Sequence, residues 1–302
     1  MGSILSPGLN EQDVPAPTGW VDLHNHLLPG IDDGPCDWTE ALGVCRLLIR
    51  QGVSHVAATP HLFGPYTEPD RIETIHRRNQ KLADQLVRAE IPLTLYQGAD
   101  IRIDSAWEDA IERNELLTLG RGGKYLLIEP PHDVWIPARG VGRLLDDSNY
   151  VGVLTHPERH PHVQRQGLEL LQEWVDLGMV LQVTAGSLLG DCGQVAQQLA
   201  WDIIASPVRA IVASDAHNTH RRPPRLGDAA RAITDRLGSD AAQRLCRDLP
   251  WSMVSDTRPV TPPQSITPVL TSYPSTDDPR AEKTYRSPKS KHPENPRKVA
   301  EA

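Results

Sequence analysis

Short apolar runs that each end in a histidine or a carboxylate recur along this chain, and that repetition limits the fold more than any other feature. The runs close on Asp22-Leu23-His24-Asn25-His26, Thr59-Pro60-His61, Leu127-Ile128-Glu129, Leu154-Thr155-His156 and Ser214-Asp215-Ala216-His217. Asp100 ends a further run from Leu93 to Ala99. In a parallel α/β protein the C-terminal ends of strands converge on one rim, so residues remote in sequence meet there. The runs predict strands over 20–24, 54–59, 93–98, 125–129, 151–155, 180–184 and 210–214. Several are apolar throughout, as strands buried on both faces are. Between them, helical periodicity predicts helices over 39–50, from Pro69-Asp70 to Glu90, and over 105–115, 137–147, 162–178, 194–205, 225–237 and 239–247. Strand–helix alternation implies right-handed crossovers and a parallel sheet. Polar residues follow at least six of the seven runs, which favours closure into a βα barrel. An open sheet would gather its ligands at one switch point.

The chain has 302 residues, of which 39% are hydrophobic and only 1 is Phe, so Leu, Ile, Val and Ala must fill the core. One domain over 19–258 fits that length, with a Pro-, Gly- and Ser-rich leader over 1–18 expected to be flexible. The segment 259–302 is dense in Pro, Ser, Thr, Lys and Glu and reads as a disordered tail, with Tyr273 and Tyr285 incidental to function. A formal charge of -8 argues against nonspecific nucleic-acid binding, which needs cationic surface. Cys36, Cys45, Cys192 and Cys246 form no Cys-x-x-Cys pair and read as thiols of a reducing compartment. No signal peptide and no membrane-length apolar run is visible, so the expected location is the cytoplasm.

His24 and His26 alternate along a strand, so both imidazoles face one side and can meet one ion. Asp22 is placed to orient an imidazole from behind. His61, His156 and the Asp215–His217 pair each follow a run of their own, and Glu129, Asp100 and the Asp32-Asp33 pair add anionic donors. Taken singly, each is a turn or a satisfied core histidine; their recurrence at strand ends argues for one site. His55, His76, His132, His160, His162, His220 and His292 fit no strand-end rule and read as surface or supporting residues. Gly186 and Ser187 read as a strand-to-helix turn. Imidazole and carboxylate without thiolate suit manganese, iron, zinc or magnesium. So many donors exceed one ion and imply two or three. Such clusters lower the pKa of a bridging water and serve phosphate-ester hydrolysis.

Asp22-Leu23-His24-Asn25-His26, followed by Gly30-Ile31-Asp32-Asp33-Gly34-Pro35, resembles the opening of the polymerase-and-histidinol-phosphatase (PHP) superfamily. Within it the chain is most similar to the bacterial manganese-dependent protein-tyrosine phosphatases of capsule and exopolysaccharide operons. Thr59-Pro60-His61, Ile128-Glu129, Thr155-His156-Pro157-Glu158-Arg159, Ser214-Asp215-Ala216-His217-Asn218 and Arg222-Pro223-Pro224 resemble its later motifs, in the same order. The resemblance spans about residues 19–256. It implies a distorted seven-stranded (β/α)7 barrel and three metals, manganese first, held by His24, His26, Asp33, His61, Asp100, Glu129, His156, Asp215 and His217. The family usually has Gly-Ala-Glu where this chain has Gly98-Ala99-Asp100. Asp is one methylene shorter, so the bridge tightens or one ion binds more weakly.

The expected reaction is attack of a metal-bridging hydroxide on phosphorus, in line with a departing phenol oxygen. Arg159 and Arg222 are expected to clamp the phosphoryl oxygens, with Asp215 and His217 also catalytic. No Cys-x5-Arg loop is present, which opposes a cysteine phosphoenzyme. The resemblance implies a phosphotyrosine protein as substrate, the tail of a bacterial tyrosine autokinase. The rival readings are a small-molecule phosphatase of the histidinol-phosphate type, a PHP-type nuclease and a binding module with a degenerate site.

Overall fold

The apolar runs do form strands: β1 (Trp20–Asp22), β2 (Val53–Ala58), β3 (His61–Leu62), β4 (Thr94–Gln97), β5 (Asp100–Arg102), β6 (Tyr125–Glu129), β7 (Val151–Thr155), β8 (Val180–Thr184) and β9 (Ala210–Ala213). These come from a computed structural model that describes residues 16–257 except 69 and 114. Most of the expected leader lies outside the described residues, as do the tail 259–302, Tyr273, Tyr285, His292 and Pro69. Every strand pairing is parallel. The result is an α/β fold.

The strands do not form one continuous sheet. They lie in the orders β1-β2-β4 and β3-β5-β6-β7-β8-β9. The strands expected over 54–59 and 93–98 stop at Ala58 and Gln97, and beyond breaks at Thr59-Pro60 and Gly98-Ala99 the chain resumes in two strands that the apolar runs did not predict, β3 and β5. Pro60 has no N–H to give a ladder, although its carbonyl accepts from Asp100 N at 3.0 Å. The register at Ala58↔Gln97 resumes unchanged at His61↔Asp100, so the chain direction survives the gap. The segment before β6 separates the lower halves of β4 and β6. There Leu119 N donates to Tyr125 O and Gly120 N to Gln97 O, both at 2.8 Å. Gly120 sits at φ 71, and a Cβ there would collide with Thr257 Oγ1. Beyond the strands, a bridge joins Asn25 to Ala216 and so links the chain after β1 to the chain after β9.

Strand alternation sends side chains to two cores. One cluster holds Val21, Ala57, Tyr96, Leu127, Val153, Val180 and Ile211, together with Met253 and Val254 of the helix Leu249–Val254. The larger cluster packs the other strand faces against helices through residues such as Leu48, Leu82, Leu145, Ile204 and Ile233. Asp37 starts the helix Trp38–Arg50 by accepting from Glu40 N at 2.9 Å.

Three helices differ from the sequence expectation. The one expected over 162–178 breaks at Gly167 (φ 87) into Pro161–Gln166, a tight turn Leu168–Leu171 and Gln172–Asp176. The one over 105–115 shrinks to Trp107–Glu112. The last widens into a π-turn at Arg244–Asp248 and continues to Val254.

Tyr96 presents a buried hydroxyl inside the inner cluster with no hydrogen-bond partner among the described residues. Tyr96→Phe is therefore expected to leave stability unchanged or raise it. Ile211→Ala, which empties the same core, should cost about 2–5 kcal/mol. Urea unfolding of both variants checks the pair.

Candidate metal centre

The chain after β1 is threaded between two neighbours. His26 N donates to Ala216 O and Asp215 N to His24 O, both at 2.9 Å, while Thr59 N donates to Asn25 O at 2.7 Å. Ser214 Oγ donates to Asn25 Oδ1 at 2.8 Å. His24, His26 and Asp215 are thereby fixed at one rim. His61 and Asp100 are register partners on β3 and β5, which brings a third strand pair to the same place. His156 and Asp215 adopt left-handed backbone at φ 33 and 52, which turns each side chain sharply as its strand ends.

The structure brings all nine residues expected as ligands together, in four groups whose donor atoms lie within 4.8 Å of one another and could hold an ion. The groups are His24, Asp100, His156; His24, His26, Asp215; His26, Asp33, His61, His217; and His61, Asp100, Glu129. His24 Nε2 lies 3.5 Å from Asp100 Oδ2 and from Asp215 Oδ1. His26 Nε2 is 3.4 Å from His24 Nε2, and His217 Nε2 is 3.1 Å from Asp33 Oδ1. Glu129 reaches His61 at 3.7 Å and His156 at 3.8 Å. Both oxygens of Asp100, and Oδ1 of Asp215, are buried and accept no hydrogen bond among the described residues. Buried carboxylate oxygens of this kind call for a cation. The donor set and these orphaned oxygens fit divalent ions.

The supporting contacts differ in part from the sequence expectation. Asp22 does not hold an imidazole: its Oδ1 accepts from Ser214 N at 2.9 Å, which steadies the approach to Asp215. The partner of His24 Nδ1 is Gln182 Oε1 at 2.9 Å, leaving Nε2 for the shared centre. A buried Gln inside an apolar strand was the available signal. Asp32 serves His26, with Oδ2 at 2.8 Å from Nδ1, while its neighbour Asp33 faces the cavity. Arg71, on the helix Arg71–Arg88, donates to Ile31 O at 2.5 Å and to His61 O at 2.7 Å. It pins the Asp32-Asp33 loop to β3, and no local pattern announces it. Asn218 Oδ1 accepts from Arg221 N at 2.6 Å and Arg222 N at 3.1 Å, shaping the loop that carries Arg222. His55, read as a surface or supporting residue, is buried, with Nδ1 at 3.0 Å from Ser54 Oγ. Ser187 is buried on Glu158, at 2.7 Å.

A cavity of about 310 Å³ opens over the groups, lined by Asp33, His61, Phe63, Pro65, Tyr66, Arg102, Glu129, His132, His156, Arg159, Asp215 and Arg222. Arg159 and Arg222 both contact Asp215 Oδ2, Arg222 at 2.6 Å, and Arg222 also reaches Asp33 Oδ2 at 3.3 Å. Burial opposes charge on every buried member. Even so, Asp100 and Asp215 overcome it at His24 and raise that imidazole to about 9; Asp100 likewise raises His61 to about 9. Burial, then His217, lowers His26 to about 4. Burial, then Arg159, depresses His156. Against burial, His24 holds Asp100 and Asp215 well below the carboxylate range. Burial and Asp100 push Glu129 up to about 7.

The family described as "Capsular polysaccharide synthesis, CpsB/CapC" matches residues 20–255. The chain belongs to the CpsB/CapC family. Tyrosine-protein phosphatase YwqE of Bacillus subtilis (strain 168) is 32% identical over 251 residues, 82% of this chain and 96% of that protein. The putative tyrosine-protein phosphatase CapC of Staphylococcus aureus is 33% identical over 204 residues, 67% of this chain and 79% of that one. A solved structure from work on YwqE of Bacillus subtilis and CpsB of Streptococcus pneumoniae, described as unique metal-dependent tyrosine phosphatases, superimposes with a TM-score of 0.71. It is 29% identical and covers 82% of this chain and 100% of that one. For this member of the family, no helix among the described residues is long and apolar enough to cross a membrane.

Proton competition gives a test of the centre. His24 and His61, at about 9, hold protons at neutral pH that a cation must displace. Affinity for added manganese is therefore expected to rise as pH increases from about 6 towards 9, with proton release on binding. Titration calorimetry in buffers of different ionisation enthalpy measures this; a flat profile would contradict the assignment.

Proposed function

We propose that this protein is a metal-dependent phosphomonoesterase that removes phosphate from tyrosine in proteins. One observation carries the reading: five imidazoles and four carboxylates from several strand ends and the loop after β1 meet in groups able to hold ions, under a cavity whose lining includes the guanidinium groups of Arg159 and Arg222. The residues that line that cavity include no cysteine, which supports chemistry without a cysteine nucleophile. Family membership and the names of YwqE and CapC support tyrosine as the phosphorylated residue. The capsular-polysaccharide family description supports a partner from that pathway, and we infer the tail of a tyrosine autokinase, met in the cytoplasm.

In this reading His24, His26, Asp33, His61, Asp100, Glu129, His156, Asp215 and His217 hold two or three divalent ions, manganese first. Such ions set positive charge against phosphoryl oxygens and lower the pKa of water. The chain does the rest. Gln182 and Asp32 fix the imidazoles of His24 and His26 through Nδ1, so neither ring is free to turn. Arg159 and Arg222, aligned on Asp215, offer planar forks of donors to the phosphoryl oxygens. A phenol leaves with a pKa of about 10, so little acid help is needed. We also infer that the two sheets together form the distorted seven-stranded barrel. Its support is the inner core, fed by β1, β2, β4, β6, β7, β8 and β9, and the Asn25–Ala216 bridge.

A substrate panel tests the proposal. Phosphotyrosyl peptide should be hydrolysed faster than histidinol phosphate, and a chelator should abolish turnover. Arg159→Ala should lower kcat/KM by roughly 10²–10³, the scale of one lost charge-directed donor. Cys36→Ser and Cys192→Ser should leave the rate intact. Faster turnover of histidinol phosphate, or full activity in chelator, would contradict the reading.

A further inference from the structure

The turn after β3 carries residues that the ion-holding groups do not use. Phe63 and Tyr66 exchange backbone hydrogen bonds in both directions at 3.2 Å, which closes a tight turn. Phe63 and Gly64 take φ of 72 and 62 within it. Gly64 N donates to Asp104 Oδ2 at 2.8 Å, tying the turn to the chain beyond β5. The Tyr66 ring stacks on His61 at 5.4 Å and 9°, and the Arg71 guanidinium lies 5.1 Å from its centre. Phe63, Pro65 and Tyr66 are thus a fixed wall of the cavity.

Arg102, the last residue of β5, lines the same cavity and is half-buried. Its guanidinium makes no ion pair or hydrogen bond among the described residues. The turn makes room for it: a Cβ at Gly64 would sit 2.5 Å from Arg102 Cδ and 3.2 Å from Nε. Arg159 and Arg222 differ, since both already lean on Asp215. A half-buried cation without a counter-charge gains most from an anionic ligand.

We propose that Arg102 and the Phe63–Tyr66 turn form a subsite for an anionic side chain beside the phosphotyrosine of a peptide substrate. The inference rests on the phosphatase reading and extends it. The phosphoryl group belongs with the histidine–carboxylate groups and the two paired arginines. The aromatic wall then receives the phenyl ring, because aromatic rings pair in offset-stacked or edge-to-face contacts. A cavity of about 310 Å³ has space beyond a phosphoryl group, and Arg102 is the cation left to read what enters it. The anion is a carboxylate or the phosphate of a second phosphotyrosine; both offer paired oxygens to a guanidinium.

Three peptides distinguish these sources, each with phosphotyrosine replaced by its non-hydrolysable difluorophosphonate and flanked by Glu, by a second difluorophosphonate residue standing for phosphotyrosine, or by Ala. Calorimetry on the metal-loaded protein should find at least one anionic peptide bound about tenfold more tightly than the Ala peptide. The larger ratio identifies the anion. Arg102→Gln should bring the ratio to within about twofold, while Arg102→Lys should keep part of it because the charge remains. Circular dichroism confirms that each variant is folded, and Arg102→Lys carries the test if Arg102→Gln is not. Equal binding of all three peptides by the wild type, or a ratio unchanged in both variants, would overturn the proposal. A wild type that hydrolyses none of the corresponding phosphopeptides overturns the phosphatase reading instead, and the binding ratios still decide this one.

Discussion

Asp100 and Asp215 carry buried carboxylate oxygens that accept no hydrogen bond among the described residues, and they stand among five imidazoles. A buried carboxylate left without positive charge nearby costs several kcal/mol, and ordinary packing does nothing to reduce that. Positive charge between carboxylate and imidazole removes the cost. In its absence protons take that role, which is why His24 and His61 are raised to about 9 while the two carboxylates stay ionised. The inner apolar core and the polar rim are therefore one arrangement. The core sets where the strands end, and the rim there gathers carboxylates that positive charge would stabilise.

Holding that rim strains the backbone. His156 and Asp215 occupy left-handed conformations, at about 1–3 kcal/mol each for residues with a Cβ. Their surroundings over-determine them. Gln182 Oε1 serves His24 Nδ1 and His156 N together, and Asp215 N is held by His24 O. The breaks at Thr59-Pro60 and Gly98-Ala99 act in the same direction. They release β3 and β5 from the ladder below and let His61 and Asp100 face each other at 3.3 Å. The short Asp100 side chain reaches two imidazoles from this position, so it joins two of the four groups.

What could be read from the sequence was what repeats. Six of the seven apolar runs are closed by His, Asp or Glu, and the seven runs lie within a few residues of β1, β2, β4, β6, β7, β8 and β9, while β3 and β5 were not expected. Supporting contacts do not repeat. Arg71 meets Ile31 and His61 through the packing of a helix, and Asp22 turned to Ser214 rather than to an imidazole. Gln182 was visible as a polar residue in an apolar strand, but only the meeting of β8 with the chain after β1 gives it a role. Periodicity also ran through Gly167, because apolar spacing continues across a break that depends on one positive φ. The division into two sheets came from backbone interruptions at Pro60 and Gly98, where side-chain hydrophobicity gives little warning.

The most direct measurement is anomalous X-ray scattering from crystals of the manganese-loaded protein. Two or three anomalous peaks are expected inside the rim, each within bonding distance of donors drawn from at least two strand ends, with Asp100 or Asp215 among them. Peaks confined to the surface, or none near His24, Glu129, His156 and Asp215, would contradict the account.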